Sequence, residues 1–180
     1  MGYCRIIRRR FSVGLKICRY SDNQLVVTDV VRLRGLPDQV ERAIVTTAAT
    51  DGVGVTISIP EDPGAAGKSL VLHLTRALMR HIVESSRETG SKETRATPVA
   101  SQLNAGNISI LRAPWNEPFV SELAGFPHGS HDDQVDALSR AFNVLAPDSL
   151  AIWEKLAEGG PIQPTHHSGP FRFWWGMPSF

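Results

Sequence analysis

The apolar residues of this chain change their spacing again and again, and that alternation limits the possible folds more than any single residue does. Residues 11–18 alternate large apolar with small or polar side chains, the two-residue period of a half-buried strand. A turn at Ser21-Asp22-Asn23 leads into residues 25–31, which read as the hairpin partner. Pro37 opens a helix at a favoured first-turn position, with Val40, Ala43, Ile44, Thr47 and Ala48 inward and Asp51-Gly52 at its end. Residues 53–59 are rich in β-branched side chains, as a buried strand is, and stop at Pro60. A helix over 69–80, a short strand over 81–85, a polar loop into a helix ending near Ala105-Gly106, a strand over 107–111 and a helix over 115–124 follow. Pro98 marks a break or a helix start near Thr97. A hairpin followed by strand–helix units predicts an α/β domain, a mixed central sheet flanked by helices.

The densest chemistry lies in residues 126–139. Ser130 or Asp132 can cap a helix there, and Val135, Leu138, Phe142 and Leu145 repeat at helical spacing as its buried stripe. Asp132, Asp133 and Asp136 crowd the first turn. The helix dipole favours anions there, but three within five residues exceed what capping needs. A divalent cation would relieve their repulsion, and hard oxygen ligands suit Mg2+ or Mn2+. A capped helix with a solvated acidic start fits the same residues.

The strand over 53–59 runs into Glu61-Asp62-Pro63-Gly64-Ala65-Ala66-Gly67-Lys68-Ser69. Acids at the carboxyl end of a strand face the crevice where α/β proteins bind ligands. The Gly-Lys-Ser ending suggests a phosphate loop, but that motif needs a glycine five residues before Gly67, where Asp62 stands. No ATP site is therefore expected in this chain. Glycines before a helix can still present N–H groups to a DNA phosphate, with Lys68 beside them. Lys92 and Arg95 are the other basic residues best placed for a phosphate backbone, unless they are plain surface charges.

Composition narrows the class. With 180 residues, 42% of them hydrophobic, the chain can bury one core, and its net charge of +1 sets up no global field for nucleic acid. Basic residues do cluster at residues 5–19, a possible nucleic-acid contact or a solvated terminus. Cys4 and Cys18 are too few and too far apart for a metal pattern and are expected as free thiols in a reducing compartment. No signal peptide or membrane-length apolar run is evident, so a soluble, cytoplasmic protein with no membrane partner is expected. Past Leu145 a last helix is expected over 149–157, then an irregular tail over 159–180. His166-His167 has no ligand cluster around it. The expected division is a domain over 1–146 and a C-terminal helix and tail over 147–180.

Three runs carry a resemblance: residues 59–68, residues 88–98, and residues 126–127 with 131–137. Together they resemble, in order and spacing, the C-terminal nuclease domain of tailed-phage terminase large subunits, over about residues 11–146. That resemblance implies an RNase H-like fold and a two-metal Mg2+ or Mn2+ site that cuts concatemeric DNA during head filling. By motif position it assigns Asp62, Asp132, Asp133 and Asp136 to the metal, with Asp62 and Asp133 or Asp132 catalytic. It implies double-stranded DNA, the portal protein and the terminase small subunit as partners, inside a bacterial cell carrying a prophage.

One departure weakens the implied chemistry. The family's first catalytic aspartate lies on a strand just before the segment matching residues 11–18, and residues 2–10 contain no acid here. The N-terminal strand is expected to be missing, as in a truncated or decayed prophage copy or a fragment. Asp29 could approach the site only if the sheet order differs from the family's. Three functions fit: an endonuclease domain with an impaired acidic site; a non-catalytic module for DNA binding or packaging interactions; or another RNase H-like nuclease such as a resolvase.

Overall fold

A computed structural model describes residues 11–21, 24–145 and 170–177. The elements run β1 (Ser12–Ser21), β2 (Gln24–Leu33), α1 (Pro37–Asp51), β3 (Thr56–Pro60), α2 (Ala65–Ala77), β4 (Val83–Ser86), α3 (Lys92–Asn104), β5 (Ile108–Ile110), α4 (Asn116–Gly125), α5 (Asp133–Leu145) and β6 (Phe171–Trp175). Six strands form one sheet in the order β4-β3-β6-β1-β2-β5. β1 pairs antiparallel with β2 and β6, whereas β3 pairs parallel with β4 and β6, and β2 with β5. The expected mixed α/β sheet is therefore present, with its opening hairpin.

Two cores sandwich the sheet. On one face α3, α4 and α5 bury Val99, Phe119, Ala137, Leu138 and Phe142 against Val13, Leu15, Ile17 and Phe173. On the other, α1 and α2 bury Val40, Ile44, Leu70 and Leu74 against Ile57, Ile59 and Trp174. The alternation that marked these strands divides their side chains between the two faces. Burying each such Leu, Ile or Phe stabilises the fold by about 1.5–3 kcal/mol.

β6 corrects the expected irregular tail. Its five residues form an inner strand between β1 and β3. Its register sets Gly14 opposite Trp174, Lys16 opposite Arg172 and Ser58 opposite Phe173. Trp174 is fully buried over Gly14, where an added Cβ would come within 2.9 Å of the indole ring. Arg172 is also buried; its Nε and Nη2 donate to Asp51 at 2.8 and 3.1 Å, Nη2 donates to Asp29 at 2.7 Å, and Nη1 donates to the Gly14 carbonyl at 3.2 Å. Asp29 is thus spent on the α1 side of the sheet. Lys16 adds a 2.8 Å ion pair to Asp51.

Two helices begin earlier than the spacing suggested. α2 takes in Gly67, whose missing Cβ lets the first turn lie on the backbone carbonyl of Asp62. α3 starts at Lys92 because Ser91 caps it, accepting the Thr94 N–H, and Pro98 sits inside the helix. The basic cluster before residue 11, Cys4, the helix over 149–157 and His166-His167 lie outside the described residues. Cys18 is a free thiol. Among the described residues no helix is long and apolar enough to cross a membrane.

Gly14→Ala forces a methyl against an immobile indole and should cost about 1–3 kcal/mol in urea unfolding. Asp51 offers a pH test. Burial alone would raise its pKa, but Arg172 and Lys16 outweigh burial and hold it below the ordinary 3.8. A lowered folded-state pKa stabilises the fold above the unfolded value, and that stability is lost as pH falls through the folded value. Asp51→Ala should therefore cost about 3 kcal/mol at neutral pH, and its gap from wild type should shrink as the pH drops below 3.8.

Candidate functional site

α5 is buried on every side rather than along one stripe. Val135, Leu138, Phe142 and Leu145 are buried as expected, but so are Asp133, Gln134, Asp136, Ser139 and Arg140. A polar group can stay in such a place only with partners, and each neighbouring element supplies one. From α4, buried Glu122 accepts the Gln134 backbone N–H at 2.6 Å and its side-chain amide at 2.7 Å, and pairs with Arg32 at 2.9 Å. An anion from another helix thus meets the free N–H groups and positive dipole end of α5.

Arg140 locks α5 to the carboxyl ends of two strands. Its guanidinium donates to Ser58 Oγ and the Ile59 carbonyl on β3, both at 3.0 Å, and to Ser86 Oγ on β4 at 3.0 Å. Past β4, Glu88 lies 3.6 Å from Arg140 and 3.0 Å from Arg95 Nε. Arg95 also pairs with Asp136 at 3.0 Å. Lys92 Nζ stands between Asp132 and Asp136, 2.6 Å from each. Glu88, Asp132 and Asp136 are therefore interleaved with Lys92, Arg95 and Arg140, three charges of each sign.

Burial sets the titration of this cluster. It raises the pKa of Asp136, against the opposing pull of Lys92 and Arg95. It likewise raises Glu88, against Arg95 and Arg140. Burial would lower Lys92, but its contacts with Asp132 and Asp136 prevail and raise it. Burial lowers Arg140, with Glu88 opposing.

The residues marked out in the sequence separate here. Asp132 immediately precedes α5, as one of the two expected caps, but its carboxylate goes to Lys92 and its carbonyl accepts the Asp136 N–H at 2.9 Å. Asp133 is buried and accepts the Phe11 backbone N–H at 3.1 Å, tying α5 to the start of β1. Asp62 lies two residues past β3, at the sheet end that Arg140 grips, and is exposed. The acids thus share one end of the sheet, while the cluster itself is built from Asp132, Asp136 and Glu88. Among the described residues no group of three or more His, Cys, Asp or Glu side chains is arranged to hold a metal ion. Where Asp132 and Asp136 face each other, an ammonium stands in the position a divalent cation would need. Lys92 thus occupies the space between Asp132 and Asp136 in the folded chain. Of the basic residues, Lys92 and Arg95 turn inward, and Lys68 is exposed on α2.

Glu88, Glu122 and Arg140 carry much of this arrangement and had no signal of their own. The one available hint was Arg140 four residues after Asp136, a spacing that brings opposite charges together on a helix.

Residues 21–145 match the family described as the terminase RNaseH-like domain. Neither the curated proteins nor the solved structures contain a match.

Lys92→Met leaves the Asp136 carboxylate short of a partner. Chemical unfolding should show a loss of about 1–3 kcal/mol at neutral pH, as for a buried group left unsatisfied. Protonated Asp136 is neutral, so the loss should shrink under acid conditions; an equal loss at every pH would show that Lys92 acts through packing alone.

Proposed function

Because the chain belongs to the terminase RNaseH-like domain family, we propose that it serves DNA packaging of a prophage-encoded tailed phage as a domain that holds double-stranded DNA without cutting it. The observation that carries this is the internal neutralisation of Asp132 and Asp136. Hydrolysis of a phosphodiester by metal ions needs carboxylates presented to them, to activate water and steady the leaving oxygen. Here Asp132 and Asp136 are presented to Lys92, and Asp136 also to Arg95. The strand between β1 and β3 adds no acid, since β6 reads Phe-Arg-Phe-Trp-Trp.

Contact with DNA then falls to exposed cations. Lys68 is the first candidate, next to the start of α2. Lys92 and Arg95 steady the acidic helix instead. The portal protein and the small subunit are the proposed protein partners, in the cytoplasm of the bacterial host, on the strength of family membership.

A second function, an Mg2+- or Mn2+-dependent endonuclease using Asp62, Asp132, Asp133 and Asp136, is favoured by one feature. The Asp132 side chain is 39% exposed and Lys92 28%, so an ion from solvent can compete for this pair.

The test is incubation with supercoiled plasmid and Mn2+, beside salt-dependent binding to linear duplex. The expected outcome is no nicking, and binding that weakens steeply with salt. Lys68→Ala should reduce the salt slope by about one, and Lys92→Met should leave it unchanged. Nicking that disappears in Asp62→Asn/Asp133→Asn would replace this function with the endonuclease; absence of binding at low salt would remove DNA as the partner.

A further inference from the structure

β6 lies outside the family-matched residues 21–145 yet fills the middle of the sheet. Without it the remaining strands fall into two groups, β3 with β4 and β1 with β2 and β5, and only β6 hydrogen-bonds to both. We propose that the slot between β1 and β3 is a strand-acceptor site, whose ligand is an extended peptide carrying an arginine between aromatic residues, and that β6 is its occupant in this chain.

The slot recognises its strand in three ways. Main-chain bonds run along both edges, antiparallel to β1 and parallel to β3. Such bonds supply affinity for any extended chain, and alternate side chains supply choice. On the α5 side Phe171 and Phe173 enter the apolar core. On the α1 side lie Asp29 and Asp51, the latter already paired with Lys16, and Arg172 meets both carboxylates. Gly14 leaves the hollow that Trp174 fills.

These features together fix direction and register. A slip by one residue would turn Arg172 into the apolar core and bring phenyl rings onto two carboxylates. A buried charge without its partner is far costlier than a lost apolar contact. The arginine is therefore the selective element of the ligand, and the aromatic residues provide the bulk of the buried surface.

Two measurements test this. On the unmodified full chain, amide hydrogen exchange should show residues 172–175 protected to the same degree as their partners on β1. Exchange there at the rate of an unstructured peptide, with β1 protected, would overturn the proposal. In the second, a full chain carrying Arg172→Ala is titrated with a labelled peptide of residues 169–178. Saturable binding is expected, weakened at least about tenfold when the peptide carries alanine in place of its arginine, while the unmodified chain, its slot filled, takes up none. Equal binding of both peptides, or none, would overturn it. Should the Arg172→Ala chain be unfolded alone, recovery of protected amides on adding the peptide supports the acceptor site, and failure to recover at saturating peptide contradicts it.

Discussion

A buried arginine holds the two halves of this molecule in one sheet. Arg172 sits in the central strand, and a guanidinium there is tolerable only because Asp29, Asp51 and a backbone carbonyl surround it. Those partners come from β2, α1 and β1, so one side chain draws the hairpin, the first helix and the last strand to a common point. With β6 so placed, β3 and β4 become continuous with the hairpin. α5 then lies across β1 and β6, and its Arg140 reaches the carboxyl ends of β3 and β4.

That placement explains the character of α5. Because its polar residues are buried, each needs a partner. Arg140 satisfies the ends of β3 and β4 and faces Glu88; Asp136 faces Lys92 and Arg95. Each pair links α5 to a segment far away in sequence, so the acidic start that looked like an ion site is also the fastening of the helix layer. The energetic reason is asymmetric: matched buried pairs gain little over apolar packing, while a single unmatched member destabilises strongly. Burial raises the pKa of Asp136 and Glu88 even within these pairs.

Much of the fold was legible because helices and half-buried strands print their period on the sequence. The hairpin, α1 with Val40 and Ile44, and the stripe of α5 are of this kind. β6 was not legible. An inner strand is enclosed on both faces and loses its alternation, and the arginine in Phe171-Arg172-Phe173 breaks what would otherwise be an apolar run. The start of α2 was hidden because Gly67 reads as a turn residue, whereas its value lies in the close approach of the Asp62 carbonyl. For the site, the gathering of acids at α5 was visible as residue type and spacing. Their partners were not: Lys92 and Arg95 looked like outward cations, and Glu88 like an ordinary loop acid. Pairing between distant elements is decided by packing, which no local pattern reports.

Cations belonging to the chain itself hold the carboxylates of Asp132 and Asp136. This is tested most directly by a crystal soaked in manganese and read for anomalous density between Asp132 and Asp136. The account predicts no peak there, with the Lys92 ammonium in contact with both acids. A manganese peak between those carboxylates, with Lys92 turned out to solvent, would contradict it.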